Sequence, residues 1–234
     1  MPNLDFDGDY GRTYCTSIRD SVPGYDVLHE IATAAVHCVA TPVRRVLVVG
    51  PGPGDELLPL LSAFAEAEVV VVVVEPSGQM LEACKHKIAS LPGVERCRFL
   101  QASLTEARSG ELDGAHFDLV LCHNVLHLMA SAEQTVMLRA LADLTTCGGT
   151  LLLSGYSEPE APTDYQRMLA VGSQRLVDRG MSKDTVTTLL ATRNRLVFSV
   201  DDKRVRTVLT QEGLDTPVVL YQGLFAHLWL CQRP

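Results

Sequence analysis

Residues 46–56 read VLVVGPGPGDE, an apolar β-type run that opens into glycines at the alternate positions 50, 52 and 54. A second run, Val69 to Val74, is closed by Glu75. A strand that feeds a glycine turn lets the backbone press against a ligand, because a Cβ at Gly50, Gly52 or Gly54 would take up ligand space. An acid at the end of the next strand can accept both hydroxyls of a ribose. Together the two features call for a nucleoside-containing cofactor held over the carboxyl ends of a parallel sheet.

The turn selects among nucleosides. A dinucleotide fingerprint, G-x-G-x-x-G, needs glycine at 55, where the helix start meets a pyrophosphate. Position 55 is Asp, whose charge repels phosphate, and Glu56 follows it. That acidic pair suits a ligand with a cationic centre and an amino group, and argues against a nicotinamide oxidoreductase. The spacing G-x-G-x-G resembles motif I of the class I S-adenosylmethionine (SAM) dependent methyltransferases. The resemblance implies that Gly50, Pro51, Gly52 and Gly54 wrap the methionine part of SAM and that Glu75 holds its ribose.

A length of 234 residues suits one large α/β domain. The net charge of −8 and the lack of a basic run argue against a protein that grips nucleic-acid phosphates. The longest apolar stretch is too short to cross a membrane and the start, MPNLDFDGDY, is acidic rather than signal-like, so a cytoplasmic protein is expected. Seven cysteines (Cys15, Cys38, Cys84, Cys97, Cys122, Cys147, Cys231) are scattered without a C-x-x-C pair. They read as free thiols, and no metal site is expected.

Helical spacing over 8–40, broken at Pro23-Gly24, predicts an N-terminal cap of one short and one longer helix. Strands are expected at 45–50, 69–75, 97–101, 117–122 and 149–155, with helices at 54–66, 77–90 and 132–146. This alternation, with strands apolar on both faces, predicts a parallel sheet covered by helices. Residues 162–194 add two helices as part of a lid, and 201–212 a further helix with Gly213 as its C-cap. VVLYQG and LFAHLWLCQ then meet with almost no loop, as a hairpin does. The expected fold is α/β, a Rossmann-like doubly wound seven-stranded sheet, mostly parallel with an antiparallel strand from the C-terminal hairpin. One domain is expected: a helical arm (1–42), a cofactor-binding core (43–156), a helical insertion (157–195) and a C-terminal helix and hairpin (196–234).

Further residues take roles from the same resemblance. Pro76 and Met80 lie where the family places ribose and adenine neighbours, with Ser77 a plausible N-cap for the helix carrying Met80. Ala102 and Ser103 stand where many members carry an adenine-binding Asp. The stretch FDLVLCHNVLHLM resembles the fourth motif and brings His123 and Asn124 toward the methyl donor, with His127 one turn on. Imidazole is the side chain best suited to take a proton near neutral pH, so His123 and His127 are candidate bases. Tyr10, Tyr14 and Tyr156 are further candidates over the sheet.

The arm YCTSIRDSVPGYDVLHEI resembles that of carboxy-SAM synthase and its relatives, which implies a cofactor contact for Tyr25 and matches Arg19 to an arm arginine. The synthase also uses an arginine in a late helical segment, and KDTVTTLLATRNRL does not present one in register. The implied activity is methyl transfer from SAM to O or N of a small, aromatic or heteroaromatic metabolite, leaving S-adenosylhomocysteine. The alternatives are other SAM chemistry, as in a carboxy-SAM synthase or lyase, or a non-catalytic SAM-binding subunit. The expected partner is the small-molecule acceptor, with neither nucleic acid nor membrane. A homodimer through apolar lid surface is compatible with the chain.

Overall fold

The computed structural model describes residues 4–39, 42–65 and 67–234, with Cys15 described by its backbone alone. The cysteine expectation at position 15 therefore lies outside the described side chains. Strands β1 (Arg45–Val49), β2 (Val70–Val74), β3 (Cys97–Leu100), β4 (Phe117–His123), β5 (Thr145–Tyr156), β6 (Val218–Gly223) and β7 (Ala226–Gln232) form one sheet in the order β3-β2-β1-β4-β5-β7-β6. β3, β2, β1, β4 and β5 pair in parallel, and β7 runs antiparallel to both β5 and β6.

The helices are α1 (Asp9–Ser21), α2 (Tyr25–His37), α3 (Leu57–Ala63), α4 (Gly78–Ile88), α5 (Leu104–Arg108), α6 (Ser131–Leu144), α7 (Pro162–Asp178), α8 (Lys183–Leu190) and α9 (Asp202–Gln211). Side chains alternate across a strand, so β1 sends Val46 and Val48 into a layer with Leu28, Leu61 and Ile88, and Leu47 and Val49 into one with Leu138, Leu209 and Trp229. Burial on both faces is what makes these strands continuous apolar runs. The chain order reverses between β1 and β4, and the crevice outside their carboxyl ends is where an open α/β sheet binds ligand.

Several boundaries differ from the sequence reading. The arm helices α1 and α2 are both 13 residues long. Helix α3 starts at Leu57 rather than 54 because Gly54, at φ +83°, cannot join a right-handed helix. β5 begins at Thr145, and Thr145 pairs with Phe117 ahead of a register shift. Helix α5 was not expected, although the Ser103-x-x-Glu106 capping box that starts it is a sequence-level signal. Gly213 follows the last turn of α9 at φ +86°, the conformation glycine supplies at a helix end.

The arm is fastened to the rest at several places. Tyr221 of β6 donates to the Pro23 carbonyl at 3.0 Å, and a Cβ on Gly24 would lie 2.0 Å from that hydroxyl. Arg175 of α7 and Arg179 just after it bind the Asp20 carbonyl and carboxylate at 2.6 and 2.7 Å. Near the N-terminus, Asp7 accepts from the Ser77 hydroxyl at 2.8 Å and from the Gln79 N–H at 3.0 Å. No helix among the described residues is long and apolar enough to cross a membrane.

Candidate active site

A cavity of about 1070 Å³ opens over the carboxyl ends of β1, β2 and β4. Its floor holds Gly50, Gly52, Glu75 and Asn124. Gly52 donates its N–H to Glu75 Oε2 at 3.0 Å, and Ser77 donates its own to Oε1 at 2.9 Å. Burial raises the Glu75 pKa, and these two N–H bonds oppose the rise. The carboxyl is thus held rigidly at the end of β2, at the edge of the cavity.

The three glycines do different things. A Cβ on Gly50 would meet Val125 at 2.4 Å, and one on Gly54 would meet Cys84 Sγ at 2.7 Å, so these two glycines permit packing. Only at Gly52 (φ +55°) is the space open to the cavity, with Tyr14 the nearest group at 3.7 Å. The expectation that all three leave room for a ligand is corrected to this one position.

The acidic pair after the turn also faces away from the cavity. Asp55 binds Lys87 at 2.7 Å and the Tyr25 hydroxyl at 3.1 Å, with Arg19 at 3.5 Å. Burial would raise its pKa, and the contacts with Lys87, Arg19 and Tyr25 together outweigh that and lower it. Glu56 is buried with Oε1 unpartnered, and desolvation pushes its pKa well up.

On the far side of Asn124 the cavity wall turns apolar. Met129, Val136, Met137 and Ala140 contribute from α6 and the segment before it, and Leu196 and Phe198 from the segment after α8, with Arg195 beside them. Arg193 instead pairs with Glu158. The arm supplies the remaining wall through Leu4, Phe6 and Tyr14.

A strand, a glycine turn in left-handed conformation and an acid fixed at the end of the neighbouring strand thus surround one cavity at the switch point of a 3-2-1-4-5-7-6 sheet. Residues 47–151 match a family model described as a methyltransferase domain. Over that stretch, a little under half of the chain, the sequence is similar to a methyltransferase domain. Among curated relatives, the carboxy-S-adenosyl-L-methionine synthase of Shewanella piezotolerans is 22% identical over 66% of this chain and 61% of its own length. The chain therefore spans about three-fifths of that relative. Two solved structures share the fold over nearly their whole length. The magnesium protoporphyrin IX methyltransferase of Synechocystis PCC 6803 with bound SAH has a TM-score of 0.68 at 17% identity, covering 99% of this chain and 98% of that one. The CcbJ methyltransferase of Streptomyces caelestis has a TM-score of 0.64 at 16% identity, covering 100% and 99%.

Around this cavity the sequence candidates separate into two groups. Tyr14, Gly50, Gly52, Glu75, Pro76, Met80 and Asn124 line the cavity. Pro51, Gly54, Tyr25, Ala102, Ser103, His123, His127 and Tyr156 do not. The Ser103 hydroxyl is engaged in the α5 capping box, and Tyr156 donates to Glu158 at 2.8 Å. His123 binds Ser154 Oγ at 3.2 Å through Nδ1, while its Nε2, both nitrogens of His29 and His127 Nδ1 are buried without partners among the described residues. Desolvation lowers the pKa to about 3 for His123 and about 4 for His127, so both rings are neutral but weakly basic. Burial raises the pKa of the Tyr14 hydroxyl, which stays protonated.

Sequence reasoning missed Phe6, Asp7, Leu104 and Thr105 on the cavity wall. Phe6, Tyr10 and Tyr14 recur every four residues, a spacing that puts aromatic rings on one helical face.

Proposed function

We propose that this domain transfers a methyl group from SAM to an oxygen or nitrogen of a small, aromatic or heteroaromatic metabolite. The observation that carries the reading is the Glu75 carboxyl at the edge of the cavity beside open Gly52. This pair suits a ribose diol next to a backbone cradle. Ser77, Met80 and Leu104 offer the neighbouring surface for a nucleobase, and Gly50 and Asn124 for the methionine portion.

Bound there, SAM supplies an electrophilic methyl on a sulfonium. That methyl would be available to an acceptor lone pair placed in line with the C–S bond, the electron pair of which would stay with sulfur. The acceptor's proton leaves to solvent or to a base carried by the acceptor itself. The chain's own contribution is to hold the partners in line at about 3–3.5 Å and to exclude water with the arm. Buried, neutral His123 and His127 and the protonated Tyr14 are consistent with catalysis that rests on placement more than on a strong protein base.

Room for an acceptor comes from the volume. About 1070 Å³ exceeds the roughly 300–1,000 Å³ typical for one drug-sized ligand. The apolar wall of Met129, Met137, Leu196 and Phe198 favours a flat hydrophobic acceptor over a sugar or a peptide. A second reading, carboxy-SAM chemistry, has one observation in its favour, since Arg195 stands at the cavity and could pair with a donor carboxylate. Mass spectrometry of the nucleoside product separates the two, with S-adenosylhomocysteine marking methyl transfer.

Calorimetric titration with SAM and S-adenosylhomocysteine tests the donor site. Wild type is expected to bind both at micromolar level, and Glu75→Ala to weaken both by about 100-fold, as loss of two hydrogen bonds to a charged group predicts. Absence of binding by the wild type would remove the assignment.

A further inference from the structure

Two arginines of one turn do different things. Residues 192–197 close on themselves, because the Thr192 carbonyl accepts the N–H groups of Arg195, Leu196 and Val197 at 3.0, 2.8 and 3.1 Å. Asn194, at φ +57°, donates its N–H to the Val197 carbonyl at 2.7 Å. The turn is tied down on both sides, by the ion pair of Arg193 with Glu158 just after β5 and by the Phe198 N–H, which reaches the His127 carbonyl just after β4 at 2.8 Å. Arg193 thus serves the fold. Arg195 forms no ion pair and no side-chain hydrogen bond among the described residues. It is exposed, and it lines the mouth of the cavity beside Leu196 and Phe198.

The cavity is therefore electrically uneven from end to end. Asp7 and Glu75 stand beyond β2, whereas the anchors of the turn place Arg195 on the side of β4 and β5. With β1 between β2 and β4, the two ends are separated by roughly 10 Å, two strand spacings. Glu133 also lines the cavity, but it turns Oε2 back to the Ala130 N–H at 2.9 Å and caps its own helix. A guanidinium without a partner, at the mouth of a pocket with apolar walls, attracts an anion, and its planar fork matches the two oxygens of a carboxylate. We infer that the methyl acceptor carries a carboxylate, which pairs with Arg195 while its flat apolar body lies against Leu196 and Phe198. This rests on the donor site proposed above, which puts SAM at the Glu75 end and leaves the arginine end to the acceptor. An anion at the mouth keeps part of its hydration, so the pairing avoids the desolvation penalty of a buried ion pair. Held there, it turns the opposite edge of the acceptor inward, toward the methyl group.

The probes are 2-naphthoate and its neutral amide, 2-naphthamide, which share a flat apolar body and differ in charge. Their binding is followed by fluorescence titration with S-adenosylhomocysteine at saturation, each variant being checked for folding by circular dichroism. Wild type is expected to bind the naphthoate about three- to tenfold more tightly than the amide, as an ion pair at a half-solvated site provides. The preference should shrink as salt is raised. Arg195→Gln is expected to abolish the preference with the affinity for the amide unchanged, and Arg195→Lys to keep part of it. Arg44→Gln removes the same charge ahead of β1, at the opposite end of the sheet, and should leave the preference intact. Equal binding of the two probes by wild type, binding of neither, an equal loss in Arg44→Gln, or displacement of the naphthoate by S-adenosylhomocysteine would overturn the proposal. So would a loss of SAM affinity in Arg195→Gln as large as its loss of naphthoate affinity, which would place the arginine on the donor. Wild type that binds no S-adenosylhomocysteine would instead overturn the donor site itself.

Discussion

Glu75 and Glu56 are both buried carboxyls beside one glycine turn, yet Glu75 receives N–H bonds from Gly52 and Ser77 whereas Glu56 leaves Oε1 without a partner among the described residues. The contrast extends to their surroundings. Glu75 belongs to a wall on which the arm, β2 and α4 tie one another together through Ser77. Glu56 belongs to a region behind the turn with Tyr25, His29 and His123, whose rings contact one another at 4.5 and 5.5 Å and whose imidazoles keep unpartnered nitrogens. Polar groups that face the cavity are oriented by backbone donors and ready to meet a ligand. Behind it, Asp55 stays charged through Lys87 and Arg19, whereas Glu56, His29 and His123 are pushed toward their neutral forms by desolvation and carry a pH-dependent cost.

That cost gives the largest effect that can break the comparison. Burial lowers the pKa of His29 to about 4, of His123 to about 3 and of His127 to about 4, against 6.5 for an unburied imidazole. Below pH 6.5 the unfolded chain binds protons that the folded chain refuses, so stability falls as pH falls through the window from 6.5 to about 4 for His29 and His127 and to about 3 for His123. Three such groups cost on the order of 5 kcal/mol by pH 5, a large part of a domain's 5–15 kcal/mol. Urea midpoints measured at pH 7.5, 6 and 5 should drop steeply, and His29→Phe should flatten the slope. A midpoint unchanged down to pH 5 would mean that the histidines are solvated, and the contrast with the Glu75 wall would fail.

Next in size are two glycine substitutions within one turn. Gly54→Ala adds a Cβ 2.7 Å from Cys84 Sγ and 3.4 Å from its Cα at a left-handed φ, and should cost about 2–4 kcal/mol of stability. Gly52→Ala meets nothing closer than 3.7 Å and should cost only about 1 kcal/mol, through its positive φ. Its side chain enters the cavity, however, so SAM affinity should fall about tenfold or more. Thermal unfolding and calorimetry on both variants would show one effect in each column. Equal loss of SAM affinity per unit of stability lost would dissolve the distinction between a packing glycine and a ligand glycine.

The same pair shows how much was legible in the sequence. The parallel sheet was readable because β1 and β2 are buried on both faces after their first residue and therefore apolar over Val46–Val49 and Val71–Val74, and Glu75 stood out as the first charge after such a run. Which glycine faces ligand was not readable, since that depends on Val125 and Cys84 arriving from the turn after β4 and from α4. The placement of His123 failed for a similar reason. Alternation along β4 puts His123 on the side of Leu119 and Leu121, against α2, while Asn124 is carried to the cavity floor by its left-handed backbone (φ +58°). Phe6 and Asp7 were invisible because their partner Ser77 is 71 and 70 residues away. The capping box of α5, by contrast, was local and could have been read.

The smallest effect bears on Glu56 alone. Desolvation raises its folded pKa above the ordinary carboxyl value, so the stability of the neutral form is fully present below pH 4.5 and is lost as pH rises toward the folded pKa. Glu56→Gln removes that dependence but adds an amide N–H₂ that itself needs a partner, so the net gain at pH 8 should be no more than about 1 kcal/mol. The variant should melt slightly above wild type at pH 8 and level with or below it at pH 5. SAM binding should be untouched, because Glu56 is not on the cavity wall. If Glu56→Gln instead weakened SAM as Glu75→Ala is expected to, the unpartnered Oε1 would belong to the donor site. The two carboxyls would then differ only in whether their ligand-side partner is already supplied by the chain.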